Sequence, residues 1–310
     1  MRKLFFALLT LNFICLFSCS DGDIIDVELD FDGNYSACQG IKGLVLYKTK
    51  SAPSESLSVI ITSLAIDDLL AVGDDNTLIT EKTGTLNYRT YSNTKITGTD
   101  LFCKDIPSSD INIVNDYESS CEATFTTILT EDDNDGIPAA LEDENLDGDN
   151  NPATNPTDTD KDGLPNYLDE DDDGDNVLTK DENPDPNGDG NLSDAQNTDG
   201  IGLPDYLEPD DDGDGVLTRD EETNTQDQNP KNDITNSDIG PDYLNKDVAN
   251  TDTPATKYRK HTISKTYIVT LTIKGISIDI LSQDEQSFGT LSDSNIGSNF
   301  KSRTETPAFN

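Results

Sequence analysis

Two stretches 39 residues apart hold the side chains of this protein best suited to chemistry, DDDGDNVLTKDE at 171–182 and DDDGDGVLTRDE at 210–221. Counted from the first Asp, carboxylates fall at positions 1, 3, 5 and 12. These are Asp171, Asp173, Asp175 and Glu182 in one copy and Asp210, Asp212, Asp214 and Glu221 in the other. A loop of this kind can turn three carboxylates inward, add the backbone carbonyl of position 7 (Val177, Val216) and close the sphere with a bidentate Glu. Position 6 needs a sharp turn, which Asn176 and Gly215 can adopt. Hard oxygen ligands in this number select Ca²⁺ over a transition metal, and Mg²⁺ tolerates such a crowded all-protein shell poorly. Several Ca²⁺ ions are therefore the expected cofactor.

Two further units keep the pattern with Pro behind the turn. One offers Asp158, Asp160, Asp162, the Leu164 carbonyl and Asp169; the other offers Glu131, Asp133, Asp135, the Ile137 carbonyl and Glu142. The copy at 197–208, also offset by 39 from 158–169, keeps Asn197 and Asp199 but has Ile201 at position 5, so a carboxylate is lost. Partial sites read at Asp185-Asn187-Asp189 and Asp143-Asn145-Asp147. A solvated acidic tail has composition without period, so the register itself argues for cages. About 38 of the chain's 62 Asp and Glu lie in 131–250, and apolar residues there are isolated. Such a segment cannot bury enough surface to offset its ordering entropy, so metal is expected to supply the folding free energy.

EF-hands use similar loops, but Pro165, Pro204 and Pro209 and the close loop spacing leave no room for two helices per site. The run DTDKDGLPNYLDEDDDGD resembles the thrombospondin type 3 repeat, over residues 131–247. That resemblance implies a string of Ca²⁺ ions wrapped by Asp-rich turns with little hydrophobic core.

The elements that must position these loops read as β structure. Short alternating or β-branched blocks occur at 43–47, 57–61, 85–88, 111–114 and 124–128, with one short helix within 63–71. The pattern returns at 267–273 and 276–280, which read as two strands joined near Lys274-Gly275. The fold class expected is mainly β, a β-sandwich-like domain interrupted by the irregular, calcium-stabilised segment. Its first part spans 20–130, the repeats 131–250, and strands in 251–295 complete the sheet, with 296–310 as a disordered tail. An independent hairpin appended to the repeats is the competing arrangement.

Arg2 and Lys3 precede an apolar run ending at Ser18-Cys19, the form of an export signal over 1–19. Leu16-Phe17-Ser18-Cys19 resembles the bacterial lipobox, which implies lipidation of Cys19. Ser20 then implies outer-membrane sorting, and the following SDGD resembles the surface-export signal of Bacteroidetes lipoproteins. Of Cys38, Cys103 and Cys121, two can pair in an oxidising compartment; Cys103 with Cys121 is the favoured pair, although spacing alone leaves the pairing open. The lone His261 reads as a surface residue.

A net charge of −41 excludes nucleic-acid binding and disfavours anionic membranes, leaving any membrane contact to the lipid. No Ser-His-Asp set, HExxH or nucleophile elbow is present, so no enzymatic activity is expected. The function expected is a calcium-binding, lipid-anchored outer-membrane protein, facing the cell surface. Its repeats would form a Ca²⁺-rigidified spacer for adhesion, display or envelope structure, with an unknown protein or polysaccharide partner. The alternatives are a secreted enzyme or carbohydrate-binding module with structural Ca²⁺, and a surface Ca²⁺ buffer.

Overall fold

A computed structural model describes residues 29–31, 33–40, 43–73, 75–106, 108–142, 151–223, 226–251 and 253–309. The export signal of 1–19 with Cys19, and the partial site at 143–147, lie outside the described residues.

Alternation of apolar and polar side chains builds eight strands. They are β1 Asn34–Gly40, β2 Gly43–Ser51, β3 Ser54–Ile61, β4 Thr77–Tyr91, β5 Ile113–Asp132, β6 His261–Ile278, β7 Leu281–Leu291 and β8 Ser302–Glu305. Two short helices, α1 Ile66–Leu70 and α2 Gly98–Phe102, interrupt them. The strands run in the order β5-β4-β3-β2-β1-β7-β6, and β6 pairs back onto β5. Seven strands therefore close into a barrel, antiparallel throughout except for the β1–β7 pair.

This closed barrel corrects the β-sandwich expectation. Alternation marks one buried face per strand, but a sandwich and a barrel both satisfy it. Closure is decided by two pairings between residues far apart in the chain: Phe125 with Leu271 in β5–β6, and Tyr35 with Leu291 in β1–β7. Every barrel strand then has a partner at both edges, the shortest seam being β1–β7, where only Asn34 with Thr290 and Tyr35 with Leu291 are paired.

The interior is filled by side chains. Tyr35, Leu44, Leu46, Leu57, Ile61, Leu86, Phe125, Leu271, Ile273 and Phe288 are fully buried, and Leu69 of α1 joins them. Burying a side chain of this size contributes about 1.5–3 kcal/mol. Outward positions on the same strands are mostly polar, as at Glu81, Glu118, Glu122, Thr266, Thr270 and Lys274, with Ile79, Ile128 and Ile268 exposed among them. Membrane-spanning barrels have the reverse polarity, apolar outside and polar within.

Three more expectations change. β6 continues through Lys274-Gly275, where Gly275 has φ +71° and the buried positions switch from odd to even; the hairpin turn lies at Asp279-Ile280. The C-terminal stretch is ordered, since β8 pairs with the start of β6 and the Phe309 ring lies 4.9 Å from that of Tyr258. Cys38 is bonded to Cys103, with Cα atoms 5.3 Å apart, while Cys121 faces the core as a free thiol. Strand β5 points Cys121 inward between Ser119 and Ala123, away from the loop that carries Cys103. Its burial pushes the thiol pKa up to about 11.

The acidic segment leaves the barrel at the end of β5 and re-enters at the start of β6, where Asp132 and Ser264 are paired neighbours. Its two ends are therefore held side by side by the sheet, which removes most of the entropy cost of closing so long an insertion.

Candidate metal centre

Among the described residues of the segment, regular structure is confined to single 3₁₀ turns and one isolated bridge, and in each of the four 12-residue loops the turn immediately precedes position 12. The repeated Pro-Asn/Asp-Tyr-Leu turn is a staple. Asn166, Asp205 and Asp242 each use a side-chain oxygen to accept the backbone N–H seven residues earlier, at Thr159, Thr198 and Thr235. Their own N–H groups donate back to Thr157, Gln196 and Asp233. Two small apolar clusters support the staples, one of Ile137, Tyr206 and Leu207 and one in which Leu164 and Leu168 meet Ile263 of β6.

Inside the loops the same local geometry recurs. The position-5 carboxylates of Asp135, Asp162, Asp175 and Asp214 each accept through Oδ1 the N–H of position 7, at Ile137, Leu164, Val177 and Val216. Position 3 does the same for the N–H of position 5, as Asp173 does for Asp175 at 3.2 Å. Position 6 donates to Oδ2 of position 1 in Asp171, Asp158 and Asp210. The required turn is made with φ +71° at Asn176 and +96° at Gly215.

At position 1 backbone N–H groups reach both oxygens of Asp158 and Asp171, whereas at positions 3 and 5 backbone holds one oxygen and leaves the other to the loop's interior. Oδ2 of Asp133, Asp135, Asp173, Asp175, Asp212 and Asp214 is buried and makes no hydrogen bond. Carboxylate oxygens approach within 4.8 Å of one another in three such groups: Asp133, Asp135 and Glu142; Asp158, Asp160 and Asp162; and Asp210, Asp212 and Asp214. A fourth group joins Asp173, Asp175 and Glu182 to Asp211, all buried, and a more exposed fifth joins Asp185, Asp189 and Asp194. Glu221 lies beside Asp212 and Asp214, and burial followed by their charges raises its pKa to about 9.

Electrostatics express the crowding. Burial is the largest cause of the raised pKa of Asp133, about 10, and the charges of Asp135 and Glu142 add to it. Asp173 and Glu182 lie well above the ordinary carboxylate range, through burial and then neighbouring Asp charges. Carboxylates buried this closely are stable only when protonated or neutralised by a cation. Pairs of oxygens from several Asp and a Glu, with no His or Cys among them, suit a hard divalent ion of the size of Ca²⁺.

Two sequence-assigned ligands are placed elsewhere. Glu131 belongs to β5, and its Oε1 lies 3.0 Å from Arg303 Nε and 3.8 Å from Lys265 Nζ. It closes the seam between β5, β6 and β8, while the loop below begins at Asp132. Asp169 Oδ1 lies 2.9 Å from His261 Nδ1, which also accepts the Glu170 backbone N–H at 3.1 Å. His261, read from sequence as a surface residue, is 1% exposed and anchors the segment to β6. Beside it Arg259 donates its backbone N–H to Asn176 Oδ1 and its guanidinium to the Asn176 carbonyl, and Thr262 N–H donates to Glu170. At the 197–208 copy, Ile201 is 73% exposed and Asn197 donates to its own loop carbonyl at Leu203.

Sequence reasoning misses Asp211 as a site residue, and with it the burial of Asp172. Both occupy position 2 of their loops, which the loop pattern assigns to solvent, yet they are 2% and 1% exposed. The signal available was the triple Asp run in both copies, where a pattern needing only positions 1, 3 and 5 leaves the middle Asp unexplained.

Residues 132–195 match the BamM C-terminal family. The match covers well under half of the chain, beginning at the last residue of β5 and taking in the loops at 158–169 and 171–182. No curated protein and no solved structure matches. The BamM match corrects the resemblance to thrombospondin type 3 repeats, which is not the family found. It also overturns the spacer function, and neither the enzyme or carbohydrate-binding alternative nor the Ca²⁺ buffer gains support. The fold gives the physical reason: a spacer extends away from its domain, whereas this segment is fastened to the start of β6 by His261, Arg259 and Ile263. The BamM match and the barrel fit an outer-membrane or envelope location.

Proposed function

We propose that this chain acts in the cell envelope, in a role related to the assembly of outer-membrane proteins, as a water-facing barrel held at the membrane by a lipid on Cys19. The observation that carries this reading is the BamM C-terminal match over 132–195, which falls on the segment fastened to the barrel. The polar barrel exterior supports attachment through an anchor in place of a spanning wall. Ca²⁺ is proposed as the resident ion of the carboxylate loops, held by Asp133, Asp135 and Glu142, by Asp158, Asp160 and Asp162, by Asp173, Asp175 and Glu182, and by Asp210, Asp212 and Asp214 with Glu221 beside them. Its chemistry there is structural, neutralising charge so that the segment keeps its seat on the barrel.

The test is depletion in the native host with quantification of outer-membrane β-barrel proteins and lipoproteins, together with cross-linking in intact envelopes. The expected result is lowered outer-membrane protein levels and cross-links to the assembly machinery. Unchanged levels with no such cross-link would refute the role.

A further inference from the structure

Asp211 contributes to a loop to which it does not belong. It stands at the start of the 210–221 loop, but its carboxylate lies within 4.8 Å of Asp173, Asp175 and Glu182 in the preceding one. The side chain is 1% exposed and neither oxygen makes a hydrogen bond.

A buried carboxylate with two unsatisfied oxygens costs several kcal/mol unless a proton or a cation compensates it. Solvent-facing position 2 of an isolated loop gives no reason for burial. Burial follows if the side chain completes the neighbouring site. We infer that Asp211 is an inter-repeat Ca²⁺ ligand that completes the 171–182 site.

The inference rests on the Ca²⁺ reading of the loops and deepens it. The ion ties together two loops 39 residues apart, clamping 171–182 to 210–221. Filling the 171–182 site positions the ligand-bearing run of the 210–221 site, because Asp210, Asp211 and Asp212 are consecutive and serve two centres. Binding is then coupled between these two sites, where separate loops would fill independently.

The experiment uses the full-length protein, counting bound ions by native mass spectrometry and measuring affinity by Ca²⁺ titration calorimetry, for wild type, E182Q, D211N and the double variant. E182Q and D211N are each expected to lose the same ion, or to weaken it about tenfold or more. The double variant should lose no more ions than either single one. D211N retaining the wild-type count and affinity while E182Q loses an ion would overturn the inference alone, as would a double variant that loses two ions. A wild type that takes up no Ca²⁺ would instead bring down the Ca²⁺ reading and this inference with it. Asp→Asn keeps the shape and removes a buried charge, so the metal-free D211N protein should melt no lower than wild type. A lower metal-free melt would make Asp211 a structural residue and overturn the assignment.

Discussion

The stability of this protein is expected to respond to pH with opposite signs in the presence and absence of Ca²⁺. Burial raises the pKa of Asp175 from 3.8 to about 7 and that of Asp135 to about 6. In the metal-free protein the folded state therefore holds protons that the unfolded chain has already released, across the window from about pH 4 to pH 7. Folding stability is full below that window and falls as pH rises through it. Each pKa unit corresponds to about 1.36 kcal/mol, so Asp175 alone removes on the order of 4 kcal/mol and Asp135 on the order of 3 kcal/mol. Together these approach the lower part of the roughly 5–15 kcal/mol that holds a domain folded. The metal-free segment should accordingly lose order by pH 8 and regain it toward pH 5. Ca²⁺ requires the ionised carboxylates, so in the loaded protein acidification removes stability, and the two curves cross. Differential scanning calorimetry with hydrogen exchange, from pH 4.5 to 8 with and without millimolar Ca²⁺, reads both. A metal-free melting temperature that climbs with pH over this range, or no Ca²⁺ effect at pH 7.5, would refute the reasoning.

The other predictions concern the barrel and its junction with the segment. Phe125→Ala opens a cavity in the barrel and should cost about 3–5 kcal/mol, measured by denaturant unfolding. Replacing Cys38 and Cys103 by Ser removes a cross-link over 65 residues, worth up to about 4 kcal/mol in the loop-entropy account. Cys121 should resist alkylation in the folded protein at pH 8 and react once it is unfolded, as followed by mass spectrometry. His261→Ala leaves Asp169 Oδ1 only the Asp171 N–H and strips the Glu170 N–H of its acceptor, and should destabilise the segment's seat by about 1–3 kcal/mol, seen as faster exchange at 257–263. Glu131→Gln should leave the Ca²⁺ count unchanged, whereas Glu142→Gln removes an ion; equal losses would return Glu131 to the site.

What the sequence by itself determined is local. Period-two alternation located the strands, because a pleated chain must turn alternate side chains to the core. The 39-residue register and the spacing at positions 3, 5 and 12 located the loops, because a turn of that length presents those oxygens to one point. Asn176 and Gly215 were legible as the turning residues for the same reason. Tertiary structure decided whatever depends on which distant segments meet. The pairing of β5 with β6 across the whole insertion makes a barrel of strands that a sandwich could equally have used. That pairing also sets Glu131 beside Arg303 and Lys265, and thereby takes it out of the loop it begins. Cys103 meets Cys38 because α2 lies over β1 and β2, a proximity that spacing along the chain does not carry. His261 is buried because its strand starts beneath Asp169. Asp211 enters its neighbour's site because stacked repeats bring position 2 of one loop over the centre of another, and that relation exists only once the chain has folded back on itself.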